Sequence, residues 1–522
     1  MANNSATPLI ALPLELIEHI IECLLPRGSL TIESELRLNP TFHISKTALS
    51  NVCLTSRMLH NIASRYLYQI VVLEDQRALF CFSRTLAARP DLRPLVQSFA
   101  WLGVIDNSRP PHGTVQLPLA SSPNGRLTFH IGYTLNNNSS SPLKLAGLKV
   151  FESVLVNCPK LRILFTHISS PVRIRPYVYP SPEYVALHRV FDGRAGAQPR
   201  SLKEQNAQDD SVGASSSDIT TDTASPRQFL RELETFIVAP RSSTISLPGH
   251  ILWSALSNCP SLKRIEAKRS IRPPLPSRAQ VKDPTPTMIA ENIKDISIRE
   301  AKTPEDISHL TIHFPNLTML SMEFEDEAVQ DPHRLSNALL RLRHTLRTLR
   351  LTTTPGKSWK SFYSPSLLSP ILKNMQALRE LTTECIWLFD SLQDPPVGLD
   401  LGHLLPSSLI DFHLIDYWGV SKPTEFYQNS PAGVTPTECR ERIFSSLHHG
   451  CSTHLSNLRN VEYTPQFSVG YDTPRDDMEG MSGIADFTHR YEQLFMENGV
   501  HFSVLTPEEW IARLHSLKAN IF

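Results

Sequence analysis

The chain has 522 residues, more than one hydrophobic core usually holds, so two or more units or a repeat array are expected. Its 51 basic and 51 acidic residues balance, which argues against a dedicated nucleic-acid binder. Eight scattered cysteines without a CxxC pair indicate reduced thiols. Without an apolar run of about 18 residues or a secretory signal, we expect a soluble protein of the cytoplasm, the nucleus or both, with no membrane partner.

The N-terminal segment 9–70 is predicted to be a helical module. Residues 12–25 read LPLELIEHIIECLL, with apolar residues at helical spacing and acidic residues between them. Residues 47–68 carry a second apolar stripe of the same period. Two or three short amphipathic helices bury little surface by themselves, so the module is expected either to cap the following domain or to be completed by a partner.

This module resembles an F-box. Residues 12–16 match the family's opening Leu-Pro-x-Glu-Leu, residues 49–53 match its Leu-x-x-Val-Cys segment, and Leu67 and Tyr68 match its closing pair. The resemblance implies docking to a Skp-type adaptor, and through it to a cullin scaffold. The residues that it implies for the adaptor contact are Leu12, Pro13, Leu16, Ile20, Leu24, Leu49, Val52 and Cys53.

Two features depart from the F-box pattern. The segment 26–46 is an insertion where the family's linker spans only a few residues. Met58 or Leu59 stands where many members carry an aromatic residue. The insertion is compatible with a surface loop, and it is equally compatible with a reshaped adaptor contact.

A short signature, apolar-x-x-apolar-x-apolar, recurs behind the module. From residue 233 to residue 409 its successive spacings are 29, 31, 24, 29, 32 and 31, which is the range of leucine-rich repeats or slightly above it. The last three positions of the signature alternate between apolar and other residues, which predicts a strand. Helices are predicted between the copies, at 142–157, 248–259, 333–344, 364–377 and 437–449. The signature begins at Val96, Leu161, Leu233, Leu262, Ile293, Leu317, Leu346, Leu378, Leu409 and Leu458.

The fold class predicted from this pattern is α/β: a helical F-box followed by a degenerate leucine-rich-repeat-like solenoid with one strand and one helix per repeat. The first repeats occupy 71–191, and a polar segment at 192–228 is expected to be a disordered linker. The remaining solenoid occupies 229–522, with a helix and an edge strand in 484–505 as its cap. Loops are predicted at 104–141 and 270–287.

Two copies of the tripeptide Asn-Cys-Pro, at 157–159 and 258–260, are predicted to end helices, each with a small buried cysteine. Taken together, the F-box, the repeats and these helix exits resemble fungal F-box proteins with a degenerate leucine-rich-repeat-like C-terminal region. The resemblance implies a substrate-recognition adaptor of an SCF-type ubiquitin ligase. The alternative is a leucine-rich-repeat scaffold or interaction protein without a role in ubiquitination.

Catalytic chemistry is not predicted. The sequence has no P-loop, GxGxxG, GxSxG, HExxH or paired CxxC motif, so we expect neither an enzyme nor a cofactor. One cluster of metal-ligand residue types lacks the two short-spaced pairs of a structural zinc site, so no metal is expected. That cluster consists of Cys439, His448, His449, Cys451 and His454.

Target binding is assigned to two features. No acidic residue lies between Asp331 and Glu380, where nine basic residues occur, and their guanidinium groups suit an acidic or phosphorylated segment of a protein target. The alternative is that these residues only solvate helix faces and pair with the acidic run before them. Aromatic residues in a predicted loop are the second feature. The candidates are Arg341, Arg343, Arg347, Tyr417 and Trp418.

Overall fold

A computed structural model of the chain shows two compact units. The N-terminal unit contains residues 1–245 and 250–262, and the C-terminal unit contains residues 246–249 and 263–522. The structure describes residues 12–24, 40–103, 115–118, 126–129, 142–168, 172–174, 177–179, 182–193, 229–240, 247–268, 271–272, 289–301, 305–324, 332–353, 368–388, 401–415, 436–465, 478–505 and 509.

The N-terminal unit is a set of helices and a parallel sheet with the strand order β1-β2-β5-β8. Its helices are α1 (Leu14–Glu22), α2 (Pro40–Thr55), α3 (Arg57–Gln69), α4 (Gln76–Ala88), α5 (Pro142–Val156), α6 (Pro182–Phe191) and α7 (Gly249–Asn258), with a 3₁₀ helix at Pro90–Leu95. Its strands are β1 (Ile70–Leu73), β2 (Ser98–Trp101), β3 (Val115–Pro118), β4 (Arg126–Phe129), β5 (Ile163–Ile168), β6 (Val172–Ile174), β7 (Tyr177–Tyr179) and β8 (Thr235–Pro240).

The C-terminal unit contains parallel strands in the order β10-β12-β13-β14-β15-β16-β17-β18, with helices between them. Its strands are β9 (Leu247–Pro248), β10 (Arg264–Lys268), β11 (Ile271–Arg272), β12 (Asp295–Ala301), β13 (Met319–Phe324), β14 (Thr348–Thr353), β15 (Glu380–Glu384), β16 (Asp411–Ile415), β17 (Asn460–Thr464) and β18 (His501–Val504). Its helices are α8 (Glu305–His313), α9 (Pro332–Leu340), α10 (Ser369–Leu372), α11 (Cys385–Leu388), α12 (Leu401–Leu404), α13 (Pro436–Thr453) and α14 (Met478–Glu497).

The predicted α/β class is confirmed, and strands alternate with helices as a repeat array requires. Every copy of the signature leads into a strand that begins two residues after its first apolar position, as Leu346 leads into β14 and Leu409 into β16. Successive side chains of a strand point to opposite faces of the sheet, so the last two positions of each signature, which are two residues apart, lie on the same face. One face carries a row of buried residues: Ile265, Ile296, Leu320, Leu349, Leu381, Phe412, Val461 and Phe502.

The opposite sheet face differs between the units. In the N-terminal unit it is apolar, with Val72, Ala100, Phe165 and Ile237 in one buried cluster. Both faces of that sheet are therefore hydrophobic, as is common for parallel strands. In the C-terminal unit the corresponding row is polar or charged along its whole length: Glu266, Ser297, Ser321, Arg350, Thr382, His413, Glu462 and Ser503.

Both Asn-Cys-Pro tripeptides end helices as predicted. Asn157 donates its side-chain amide N–H to the carbonyl oxygen of Ser153 at 2.7 Å, and Asn258 does the same to Ser254 at 3.0 Å. Cys158 is 1% exposed, and burial raises its pKa to about 12, so this thiol stays protonated and packs as a small apolar group. Burial raises the pKa of Cys259 to about 12 as well.

Two predictions from the sequence need correction. The segment 104–141 was expected to be a loop, but it contains β3 and β4, which pair antiparallel. The helix expected at 364–377 is short, because α10 ends at Leu372 and the N–H groups of Asn374 and Met375 form tight i to i−3 bonds instead. The predicted loop at 270–287 begins with β11, which pairs parallel with β9, and its residues 273–287 lie outside the described residues. Of the predicted linker at 192–228, residues 194–228 lie outside the described residues.

The last helix and strand complete the C-terminal unit. Among the described strands, β18 pairs with β17 alone and stands last in the strand order. An aromatic cluster joins it to α13, β17 and α14, with Phe444 at 5.0 Å from Tyr463 and 5.4 Å from Phe502 between ring centroids. No helix among the described residues is long and apolar enough to cross a membrane.

Candidate protein-docking surfaces

The N-terminal module consists of α1, α2 and α3. The carbonyl oxygen of Pro13 accepts the N–H groups of Leu16 and Ile17 at the start of α1, and the Ser56 hydroxyl accepts the N–H of Leu59 at the start of α3. One buried cluster holds the three helices together. It contains Ile17, Ile21, Leu49, Leu59, Ile62 and Ala63.

Apolar side chains also lie on the outside of this module. On α1, Leu16 is 51% exposed and Ile20 is 42% exposed, and because they are four residues apart they share one helix face. Ile17 and Ile21 form the core on the adjacent face of the same helix. The helix α1 is therefore apolar on two faces, of which its own module buries only one.

The residues implied by the F-box resemblance fall into three groups. Pro13, Leu16 and Ile20 are exposed. Leu49 is 2% exposed and belongs to the core of the module, so it holds α2 in place and is not accessible to a partner. The remaining residues are half-buried and pack against the same core: Leu12, Leu24, Val52 and Cys53.

Three exposed apolar residues of the module were not identified from the sequence: Leu14 at 51%, Ile44 at 66% and Leu54 at 83% exposure. Leu54 directly follows the stripe formed by Leu49, Val52 and Cys53, at a position where helical spacing puts it on another face. Leu54 could have been found from the sequence, because it is an apolar residue that lies outside the apolar stripe of its helix. Ile44 lies in α2, which begins at Pro40 and thus includes the end of the segment 26–46.

Burial shifts the pKa values of a cysteine and a lysine on α2. Partial burial raises the pKa of the Cys53 thiol, so it is protonated at neutral pH and is a weak nucleophile. Burial lowers the pKa of Lys46, and the negative charge of Glu74 partly opposes this effect.

The arginines assigned to target binding lie near the start of β14. Arg341 and Arg343 are exposed in the turn after α9, and Arg347 is exposed directly before the strand. Arg343 donates its Nε–H to His344 Nε2 at 2.9 Å. Tyr417 and Trp418 lie outside the described residues.

A cavity of about 390 Å³ brings one of these arginines together with Arg379, which belongs to the same basic stretch but was not assigned to target binding. Arg347 and Arg379 line it from neighbouring strands, with His344 and Asn457. Arg379 could have been found from the repeat register, because Arg379 directly precedes β15 just as Arg347 directly precedes β14. The arrangement suits an anion, since none of the described residues that line the cavity is acidic.

The histidine and cysteine cluster near the end of α13 makes packing contacts. The His454 ring stacks on His403 at 4.7 Å between centroids, and His454 Nε2 is hydrogen-bonded to the carbonyl of Gly402. Cys451 is buried, which raises its pKa to about 11. Across the described part of the chain, no group of three or more His, Cys, Asp or Glu side chains is placed to hold a metal ion.

Comparison with known proteins identifies no relative. No family model matches the chain, and a search among curated proteins gives no significant match.

Proposed function

We propose that the N-terminal module is an F-box that docks a Skp-type adaptor through α1, and that the repeat array recruits a protein target for ubiquitination. The observation that carries the proposal is the exposure of Leu16 and Ile20 beside Pro13 on a helix whose other apolar face is already buried. An amphipathic helix that presents apolar residues to a groove on a partner is a recurrent docking mode.

The competing explanation was that the module only caps the repeat array. A cap would bury Leu12, Pro13 and Ile20 against residues after 68. Pro13 and Ile20 are exposed instead, and Leu12 is half-buried against the core of the module itself. Exposed apolar groups of this size raise the free energy of the isolated chain in water, and a partner that covers them lowers it. This supports docking to a partner over capping.

In the proposed function the chain supplies binding and no chemistry. One end holds the ligase core and the other holds the target, so the target's lysines are kept at high effective concentration near a ubiquitin-loaded enzyme. Specificity then depends on the surface of the repeat array alone.

The test is co-purification with a Skp-type adaptor. The full chain, a version without residues 1–70 and the double variant Leu16→Asp with Ile20→Asp are compared. The matched control is Ile289→Asp with Ile312→Asp, which places the same charges on apolar residues that are 57% and 38% exposed in the C-terminal unit. We expect recovery of the adaptor with the full chain and the control only.

The outcome against the proposal is equal recovery with the Leu16→Asp, Ile20→Asp variant, or no recovery with the full chain. Circular dichroism of the double variant separates lost docking from lost folding. Because docking alone does not establish a ligase, the purified complex is then added to a cullin scaffold with ubiquitin-charging enzymes. Ubiquitin transfer to the chain itself is expected only when the adaptor is bound.

A further inference from the structure

The residues that directly precede seven strands of the C-terminal unit form a continuous row along one edge of the sheet. Main-chain bonds join all neighbours in the row: Thr318 donates its N–H to the carbonyl oxygen of Lys294 at 2.7 Å, and Arg379 donates to Arg347 at 2.8 Å. Adjacent strands lie about 4.8 Å apart, so the row spans roughly 29 Å. Five of its seven positions are basic and none is acidic. The row consists of Lys263, Lys294, Thr318, Arg347, Arg379, Ile410 and Arg459.

The charges of this row are available to a partner. Four of the five basic side chains are exposed, and Lys294 is half-buried. No carboxylate of a described residue forms an ion pair with any of the five. The described turns that lead into these strands add three more exposed basic residues: Arg341, Arg343 and Lys373.

Few negative charges oppose this basic edge. The same turns contain one exposed carboxylate, Glu291. Three half-buried carboxylates begin strands next to the row, and each accepts a hydrogen bond from a neighbouring side chain: Asp295 from Thr318, Glu380 from Thr348 and Asp411 from Asn460. Eight basic side chains therefore stand against four carboxylates, and the edge has a net positive charge.

Two exposed isoleucines lie at the same edge. Ile289 is 57% exposed before β12, and Ile312 is 38% exposed in the last turn of α8, before β13. The N–H of Ala290 donates to the carbonyl oxygen of His313 at 2.9 Å, so the two isoleucines, each one residue earlier in the chain, lie on adjacent turns. A basic surface with exposed apolar groups matches an anionic lipid surface, which attracts the charges and takes up the apolar side chains.

We infer that this edge of the C-terminal unit docks on an anionic phospholipid bilayer. The basic row contacts the headgroups, and Ile289 and Ile312 reach the boundary of the acyl chains. The cavity lined by Arg347 and Arg379 takes one headgroup phosphate, because two guanidinium groups match its oxygen atoms. A single-stranded nucleic acid fits less well, because the described turns of this edge present no exposed aromatic side chain for base stacking.

This inference changes one expectation from the sequence. The expectation of no membrane partner rested on the lack of a spanning segment, and a peripheral contact does not need one. The inference is also independent of the proposed function, because docking on lipid requires neither an adaptor nor a target.

The experiment is co-sedimentation of the full chain with vesicles of phosphatidylcholine alone or mixed with phosphatidylserine. Each variant is first compared with the original chain by circular dichroism. The charge variant combines three substitutions: Lys294→Gln, Arg347→Gln and Arg379→Gln. Its control removes the same charge at exposed sites on α4 and α13: Arg77→Gln, Arg84→Gln and Arg442→Gln.

We expect the chain to bind only the vesicles that contain phosphatidylserine. Each basic residue at an anionic surface contributes roughly fivefold to the affinity, so the charge variant should bind about a hundredfold more weakly. The control should bind as the original chain does. Equal loss in the charge variant and its control would mean unspecific attraction and overturn the inference, as would equal binding to phosphatidylcholine alone.

A second variant tests the apolar part of the contact. Ile289→Ser with Ile312→Ser should weaken binding at least about fivefold, since both side chains lose apolar area buried at the bilayer. Met496→Ser, at an exposed apolar residue of α14, is the control and should not change binding. Undiminished binding by the isoleucine variant would mean that the edge attracts any polyanion. Tighter binding of a labelled single-stranded RNA than of the vesicles would assign the edge to nucleic acid.

The inference and the proposed function fail separately. The vesicles contain no adaptor, and co-purification with the adaptor contains no lipid. A chain that recovers the adaptor but does not sediment with phosphatidylserine vesicles refutes only the lipid contact.

Discussion

Nη2 of Arg264 lies 2.5 Å from Oε1 of Glu266, two residues further along the same strand. The carboxylate is fully buried, and burial raises the pKa of Glu266 to about 7 even though the positive charges of Arg264 and Arg299 act in the opposite direction. Desolvation of the charged form therefore outweighs attraction to the two guanidinium groups at this position.

This burial predicts a pH dependence of stability. The carboxyl group of Glu266 keeps its proton in the folded state at pH values where the unfolded chain, with the ordinary pKa of 4.5, has already released it. The contribution of this carboxyl group to the free energy of unfolding is thus largest below about pH 4.5. It falls by roughly 3 kcal/mol as the pH rises to about 7. Glu266→Gln should remove this part of the dependence of the free energy of unfolding on pH. The measurement is urea unfolding, followed by circular dichroism, at several pH values between these limits.

Glu462→Gln is the matched control, because it makes the same change in the same row of side chains. In the Glu462→Gln variant, the free energy of unfolding should still fall with rising pH by the amount that Glu266 causes. If Glu266→Gln and the unmodified chain show the same profile, the carboxyl group is ionised throughout and the two arginines outweigh desolvation after all.

A second prediction compares two leucines on α2. Leu49 is 2% exposed and Leu54 is 83% exposed. Leu49→Ala leaves a cavity among Ile17, Leu59 and Ile62 and should destabilise the module by about 2–5 kcal/mol, whereas Leu54→Ala should stay within about 0.5 kcal/mol. Hydrogen exchange of the amides of α3 measures this difference. Equal protection in both variants would show that Leu49 does not support the core.

A third prediction concerns the aromatic cluster at the end of the C-terminal unit. Phe444 is fully buried among the rings of Tyr463, Phe487 and Phe502. Phe444→Ala should cost about 3–5 kcal/mol and expose β18 to fast hydrogen exchange. Met496→Ala, on the 73% exposed surface of α14, is the control and should leave β18 protected.

The hydroxyl of Tyr491 supports the same cluster and gives a fourth prediction. It donates to Oε2 of Glu441 at 2.8 Å and lies 3.0 Å from the hydroxyl of Ser445. Tyr491→Phe keeps the ring but leaves a carboxylate without this donor, so a loss of about 1–3 kcal/mol is expected. Thermal unfolding measures the loss, and a variant as stable as the original chain would show that solvent replaces the hydroxyl at no cost.

A fifth prediction follows from the buried thiols. Cys158 and Cys259 are 1% and 0% exposed, and burial raises both pKa values to about 12, whereas Cys23 and Cys81 are exposed. Since the thiolate is the reactive form, a thiol reagent at about pH 8 should modify the two buried cysteines at least about 1,000-fold more slowly than an exposed one. Mass spectrometry of peptides from the folded chain gives the rates. Rapid labelling of Cys158 in folded protein would contradict its buried position.

The strands that follow the repeated signature were predictable because the signature is a local pattern. In Leu346-x-x-Leu349-x-Leu351 the alternation alone predicts β14, and its register with β13 aligns Leu349 with Leu320. Helix lengths were less predictable, since α10 ends early in a turn that the pairing of the next strand requires. The strand β1 was missed because its four apolar residues directly continue α3 and show no alternation.

The candidate sites were predictable only in part. The periodicity of α1 identified Leu16 and Ile20 together with Ile17, but it did not show which of these the module buries, because that depends on the direction from which α3 approaches. Arg347 was found from its charge. Its pairing with Arg379 depends on two strands that lie 32 residues apart in the chain and become neighbours only in the sheet.

The register of the array does not depend on how much chain lies between two strands. The strand β5 ends at Ile168 and its neighbour β8 begins at Thr235, whereas β12 ends at Ala301 and its neighbour β13 begins at Met319. Both pairs are parallel and aligned from their first residues, and only the β12–β13 pair shifts register, between Ile298 and Ala301. Connections between paired strands can therefore lengthen or shorten several-fold without re-pairing the sheet, so a reporter or affinity tag inserted after α6, within residues 194–228, should leave the array assembled.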